Sequence, residues 1–442
     1  MSTVETRQAV GGGGPDWPGS QARIGTGRSQ LGQLGHERPR VLFIDEHRDV
    51  LLAFERLLKG DADRWSLQFA LSFAEAFERL AIEEADVIVA SIDPARVDDI
   101  VALERLKAEH PTAVRMVFGA PAVRENGVRV APLCHQYLVR PFDVLRLHER
   151  LDRALAIREM LEQPALRAAV GDTESLPSPP PVLLELRAAL DARGTNAGTI
   201  ARIVEKDPAL TAKLLQLANS AFFGASRKYS AGTVVSVADA VVMLGMATVE
   251  QLALITGLLV AFEGQEKALG MSPEAMQDHS RRVADTAAHL MTSRRFAEEA
   301  YVSGLLHDIG KLVLACRFPE SYRRVAPEAR LRRLPVWQIE QEEYGATHAE
   351  VGAYLLACWG LPRIVVEAVA HHHHPSALGR THFDPVGAVH VADALVKAVM
   401  GPASDPSLDL ATLVDTTYLA QAGVLGRLGI FREIANELAS RG

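Results

Sequence analysis

The sequence predicts two unlike domains, a doubly wound α/β unit followed by an all-α unit, and three observations predict it. Near the N-terminus, apolar runs of strand length alternate with helical stretches over about 120 residues. Beyond residue 182 the strand signal fades and capped amphipathic helices take over. The composition agrees: 48% of the 442 residues are hydrophobic but only 6% aromatic, so the apolar content is mostly Ala, Leu and Val, which favour helix over an aromatic-rich β core. The length itself exceeds the roughly 100–200 residues of one ordinary domain.

Residues 1–37 carry nine glycines, including Gly11–Gly14, and no periodic apolar face, so a disordered tail is expected there. The α/β unit is placed at 39–160. Its first strand is Val41-Leu-Phe-Ile-Asp45, followed by a helix carrying Leu51, Leu52, Phe54, Leu57 and Leu58. A second strand (Ser66–Ala70), a helix (Phe73–Ile82) and the most apolar strand (Asp86–Ile92) follow, then a helix around Val101–Ala108. Strands at Ala113–Phe118 and Tyr137–Val139 and a long helix from Pro141 complete a parallel sheet with helices on both faces. Residues 161–181, with Gln163-Pro164 and Ser175-Leu-Pro-Ser-Pro-Pro-Pro181, read as a stiff Pro-rich junction.

The all-α unit is placed at 182–442, with about ten helices. Asp207-Pro208 reads as an N-cap with proline at the first helical position. Ser236-Val-Ala-Asp239 and Thr347-His-Ala-Glu350 read as capping boxes, the first helix stopping at Gly245 and the second at Gly360-Leu-Pro362. No repeat of fixed period is present.

A net charge of −8 and a pI near 6.0 argue against a protein built to hold a phosphate backbone, so nucleic acid is not the expected partner. Three scattered cysteines, Cys134, Cys316 and Cys358, form no C-x-x-C pair, which excludes a disulfide framework and a thiolate zinc site and fits a reducing cytoplasm. Cys316 and Cys358 sit among apolar residues and are expected to be buried. The longest apolar run, Leu252–Phe262, is short of the roughly 20 residues of a membrane span, so no membrane partner is expected. No secretory signal pattern is present.

The α/β unit resembles the receiver domain of response regulators over about 39–160. The acidic pair after the first strand, Asp45-Glu46, and the run Tyr137-Leu-Val-Arg140-Pro141-Phe142, with Arg in place of the family's Lys, carry the resemblance. In that family an aspartate ends the third strand and accepts phosphate. Here that position falls on Ser91, and the fourth-strand hydroxyl position on Gly119. A serine hydroxyl cannot form the acyl phosphate, so the resemblance implies a degenerate receiver that signals by protein contact. Asp93, two residues on, is a candidate substitute, Asp45 and Glu46 are either solvated or weak Mg²⁺ ligands, and Arg140 is free to pair with Asp45.

Ten of the fifteen histidines lie after residue 278. The sharpest motif is Leu305-Leu-His307-Asp308-Ile-Gly-Lys311. Adjacent ligands cannot share one face of a regular helix, but at a helix end an imidazole and a carboxylate can converge on a metal. With His279 before it and Asp393 after it, the order is that of the HD phosphohydrolase superfamily, and His348, His371 and His372 are further candidates. His373, His374 and His382 are expected at surface loops, and His289 as an ordinary helix residue.

The motifs Leu176–Pro181, Glu205-Lys-Asp-Pro-Ala-Leu-Thr211, Leu217-Ala-Asn-Ser-Ala-Phe-Phe-Gly224, Gly345-Ala-Thr-His-Ala-Glu-Val-Gly352 and Cys358-Trp-Gly-Leu-Pro362 resemble, in this order, the HDOD domain, the HD-related output domain of bacterial signalling proteins. The resemblance covers about 176–400 and implies an all-α bundle with a regulatory output role. Its partners would be signalling proteins such as kinases or cyclases, or a second copy. The four ligands His279, His307, Asp308 and Asp393 would suit one Zn, Mn, Fe or Mg ion, with Lys311 placed to neutralise a phosphate oxygen. The segment after His371–His374 lacks the acidic-Gly-Tyr-Pro run of the cyclic-dinucleotide phosphodiesterases. The sequence therefore favours a regulator that acts by binding over the alternative, a metal-dependent phosphohydrolase of a nucleotide or cyclic dinucleotide.

Overall fold

The structure is a computed structural model. It describes residues 38–442 except 62, 94, 120–129, 131–132, 140–146, 171–180, 192–194, 208–209, 212–213, 216–217, 219–235, 247, 251, 254–272, 401–408 and 442. The N-terminal tail, Arg140 and the pair Asn219-Ser220 lie outside the described residues.

The α/β unit is built as its periodicity predicts: β1 (Arg40–Ile44), α1 (Arg48–Leu58), β2 (Ser66–Ala70), α2 (Phe73–Ile82), β3 (Val87–Ser91), α3 (Val97–Glu109), β4 (Val114–Gly119), β5 (Gln136–Val139) and α4 (Leu147–Leu161). All strand pairs are parallel and the order is β2-β1-β3-β4-β5, a doubly wound sheet whose order reverses beside β1 and β3. The two-residue strand period sorts the core. Val41 and Phe43 pack with α1 and α4 on one face, while Leu42 and Ile44 pack with α2 and α3 on the other.

The junction differs from expectation in its first half. Pro164 opens a helix, α5 (Pro164–Val170), that buries Leu166, Ala169 and Val170. Proline is tolerated at a first helical turn because its missing N–H has no intrahelical partner there, so Gln163-Pro164 marks a helix start and no stiff spacer. The core that begins under α1 and α4 continues through α5 into the helical unit. Arg153 of α4 donates to the Gly360 carbonyl at 2.9 Å.

The helical unit comprises α6 (Pro181–Asp191), α7 (Ala197–Val204), α8 (Val237–Leu244), α9 (Pro273–Leu290), α10 (Arg294–Leu306), α11 (Ile309–Arg317), α12 (Pro319–Arg332), α13 (Val336–Tyr344), α14 (His348–Cys358), α15 (Arg363–His371), α16 (Pro385–Leu395), α17 (Thr416–Gln421) and α18 (Leu428–Arg441). The capping signals are in place. Thr347 and Glu350 form a complete capping box, Ser236 accepts from the Asp239 N–H, and Asp207 Oδ1 accepts from the Leu210 N–H. Cys358 is buried as expected, whereas Cys316 is half-buried. Among the described residues no helix is long and apolar enough to cross a membrane.

Candidate metal centre

Two close helix contacts set the geometry of the site. A Cβ on Gly304 of α10 would fall 2.7 Å from the Ala284 Cα of α9. One on Gly310 of α11 would run into the His348 carbonyl of α14 and lie 2.7 Å from the Gly352 nitrogen. Glycine is therefore required at both positions for backbone approach. Gly310 sits inside α11, and the break falls before that helix, at Asp308. His307 closes α10 and Asp308, at φ −97° and ψ 5°, precedes the first residue of α11. The break lets two adjacent side chains face one point.

Five places in the chain converge there. His279 comes from α9, His307 and Asp308 from the break, His348 from the first residue of α14, His372 and His373 from the end of α15, and Asp393 from α16. The ligand atoms of His279, His307 and Asp393 lie within 4.8 Å of one another, as do those of His348, His372 and His373, and those of His307, Asp308 and His372. Asp308 stands between the groups. Its Oδ2 is 3.4 Å from His307 Nε2 and 3.8 Å from His279 Nε2, while its Oδ1 is 3.3 Å from His348 Nε2. Asp393 Oδ1 lies 3.2 Å from His279 Nε2.

The tautomers follow from the backbone. A carbonyl oxygen can only accept, so His307 Nδ1, 2.8 Å from the Gly304 carbonyl, and His372 Nδ1, 2.8 Å from the Val369 carbonyl, must both carry protons. Burial pushes the His307 pKa down to about 4 and holds His372 and His373 well below the ordinary value, so these rings are neutral. The Nε2 atoms of His307 and His372 then offer lone pairs into the cluster, and both are buried without a hydrogen-bond partner. Burial alone would raise the carboxyl pKa values. It is outweighed at Asp308 by Lys311 and His348, and at Asp393 by Lys397 and His279, so both stay anionic. Neutral imidazoles and ionised carboxylates are the forms that bind a divalent ion, and orphaned inward-facing nitrogens are otherwise costly, so the residues fit such an ion.

Two cations border the cluster. Lys311 Nζ is 2.6 Å from Asp308 Oδ2, and Lys397 Nζ is 2.6 Å from Asp393 Oδ2. Lys397 is 53% exposed and His279 19%, which marks the solvent side, while His307 is fully buried. His348 is braced from behind. Glu340 Oε2 accepts from its backbone N–H at 2.8 Å and lies 2.5 Å from its Nδ1.

His279, His307, Asp308, His348, His372, Asp393 and Lys311 all meet here. His371 does not: it belongs to none of the three groups. His373, expected at a surface loop, is instead half-buried with Nε2 3.1 Å from His348 Nε2. The run of four histidines at a helix end was the available signal, but one residue of register decided which ring turns inward. Glu340 and Lys397 were not foreseen at all. His382 is exposed, and His289 sits in α9 with its Nδ1 2.7 Å from the Asp285 carbonyl.

At the receiver-like pocket, Ser91 closes β3 and Gly119 closes β4. Asp45 is buried, and its Oδ1 accepts from the His47 N–H at 2.8 Å with His47 Nδ1 at 3.1 Å. Glu46 pairs with Arg96 at 3.1 Å. Asp93 lies past the strand end, where its N–H donates to Asp99 Oδ2 and its own Oδ1 accepts from the Ala95 N–H.

The chain thus joins a doubly wound, receiver-like sheet to a helical domain in which His279, His307, Asp308 and Asp393 converge. The family model described as the HDOD domain matches residues 176–375, and the chain carries that domain there. An uncharacterised protein of Treponema pallidum (strain Nichols) is 25% identical over 242 residues, 52% of this chain and 45% of that protein, so the chain spans less than half of that relative. Among solved structures, an HDOD domain protein of unknown function from Geobacter sulfurreducens is 24% identical at TM-score 0.46, covering 62% of this chain and 94% of that one. The signal receiver domain of an HD domain-containing protein from Pseudomonas fluorescens Pf-5 is 22% identical at TM-score 0.26, covering 28% and 98%.

Proposed function

We propose that this signalling protein uses its helical domain as a divalent-metal phosphohydrolase, governed by contact with a receiver-like domain that takes no phosphate. The observation that carries the reading is the pair of buried, unpartnered nitrogens, His307 Nε2 and His372 Nε2, on two rings grouped with the same carboxylate, Asp308. Leaving two such atoms without partners has a cost of about 1–3 kcal/mol each unless an ion takes them up.

The arrangement supports two ions where the sequence suggested one. His279, His307 and Asp393 form one set, His348, His372 and His373 the other, and Asp308 presents one oxygen to each. Zinc, iron and manganese suit such a mixed imidazole and carboxylate site. Bound ions of this kind polarise a phosphoryl oxygen and lower the pKa of a water. Lys311 and Lys397 would then be released from their carboxylates to neutralise phosphate oxygens, and His279 and Lys397 border the entry. The substrate class is a phosphate ester, with a nucleotide or cyclic dinucleotide the leading candidate.

On the receiver side, Ser91 replaces the acyl-phosphate former, and Glu46 is engaged by Arg96. The shared core through α4 and α5 and the Arg153–Gly360 bond support signalling by contact. A second reading, an output module that only binds a partner protein, is favoured by the depth of the cluster, where His307 is fully buried and Asp308 is 5% exposed.

The test is turnover of bis(p-nitrophenyl) phosphate and of cyclic dinucleotides by protein loaded with Mn²⁺ or Zn²⁺. Turnover lost in His307→Ala supports the hydrolase. A protein that binds the metals and turns over none of these substrates supports the binding-only reading.

A further inference from the structure

We propose that Glu340 is the positioning residue of the metal centre: its carboxylate fixes the His348 ring so that Nε2, and not Nδ1, is delivered to the cluster. The inference rests on the metal reading above and concerns a residue that lies outside every ligand group. Glu340 is fully buried in α13, and its partners account for both oxygens. Oε2 takes the His348 backbone N–H at 2.8 Å and the ring Nδ1 at 2.5 Å; Oε1 takes the Tyr322 hydroxyl at 2.7 Å.

This grip does three things at once. A carboxylate accepts only, so Nδ1 must hold a proton and the Nε2 lone pair faces inward in the neutral ring. The second bond, from the backbone of the same residue, fixes the ring's base as well as its edge. Tyr322, from α12, holds the carboxylate against rotation, so the direction of Nε2 is set by three helices and not by one rotamer. The positive-φ turn at Gly345 (φ +68°) folds α13 back beside α14, which is what brings residue 340 under residue 348. His307 and His372 receive the same service from backbone carbonyls. His348 is the ligand whose orienting partner is a charged side chain, and an anionic partner also makes the ring a stronger donor.

The experiment is a double-mutant cycle on metal affinity, read by calorimetric titration of Mn²⁺ and Zn²⁺ into EDTA-treated full-length protein. Glu340→Gln should weaken one of two binding events by about 10- to 100-fold, the effect of losing an outer partner. In a His348→Ala background the same change should weaken binding no further. Equal affinity of Glu340→Gln and wild type, or the same fold-loss with and without His348, overturns the proposal while leaving the metal reading intact. Wild type that binds neither metal overturns both. Should Glu340→Gln not fold, ¹⁵N resonances of the wild-type His348 ring at alkaline pH, assigned by their loss in His348→Ala, decide the matter. A protonated Nδ1 is expected, and a protonated Nε2 contradicts the proposal.

Discussion

Gly310 and Gly352 touch backbone to backbone: a Cβ on the first would lie 2.7 Å from the Gly352 nitrogen, and one on the second 3.0 Å from the Gly310 nitrogen. Through this contact α11 and α14 approach closely enough for Asp308 and His348, at their N-terminal ends, to come within 3.3 Å. Gly310→Ala must push the helices apart. We expect a loss of about 1–3 kcal/mol of stability, as for an overpacked core, with weakened metal binding. Urea unfolding with and without added Zn²⁺ measures both; an unchanged midpoint in each condition would contradict this.

The buried imidazoles give the metal-free protein a pH dependence of definite sign. Burial lowers His307 and His371 from 6.5 to about 4, and His372 and His373 well below 6.5. Between those values the unfolded chain binds protons that the folded chain does not, so stability rises with pH through this window. His348, raised against its burial by Glu340 and Asp308, opposes it near and above 6.5, where the folded ring keeps a proton that the unfolded chain sheds, but one such ring stands against four lowered ones. The EDTA-treated protein should therefore unfold at lower urea at pH 5 than at pH 7. A higher midpoint at pH 5 would count against the buried, neutral assignment.

His373 and His371 differ by two residues in sequence and by everything in position. His373→Ala should weaken binding of one divalent ion by at least about tenfold, since even outer partners of a ligand have effects of that size. His371→Ala should leave it unchanged. Calorimetric titration of the two variants separates them, and equal effects would mean that the register of the four-histidine run is misassigned.

Acetyl phosphate with Mg²⁺ should leave the mass of the protein unchanged. Ser91 stands at the end of β3, Glu46 is paired with Arg96, and Asp93 has one oxygen in a local turn. A stoichiometric acyl phosphate on Asp93 or elsewhere in the first domain would restore a conventional phosphorylation switch.

The α/β unit was legible because its inner strands β1, β3 and β4 are buried on both faces, so run length and period translate directly into order and layer. The strands at Val41, Asp86 and Ala113 and the caps at Ser236 and Thr347 lie where the sequence puts them. The first half of the junction was misread because Pro164 opens a helix, and local composition does not say whether Leu166 has a core to enter. Four side chains of the cluster, His279, His307, Asp308 and Asp393, were legible because an adjacent His-Asp pair stands out and its partners follow in a fixed order. Glu340 and Lys397 were not, since an acidic residue on an amphipathic helix and a lysine four residues after an aspartate are ordinary until tertiary packing places them. His373 was lost to a single step of register at the end of α15.

The central question is whether the cluster holds metal. Plasma mass spectrometry of the full chain, purified without chelator and after reconstitution with Mn²⁺ or Zn²⁺, measures this directly, with Asp308→Asn alongside. We predict two divalent ions per chain in wild type and loss of at least one when the carboxylate between the two histidine groups is replaced. A wild-type protein that remains free of metal after reconstitution would contradict the assignment.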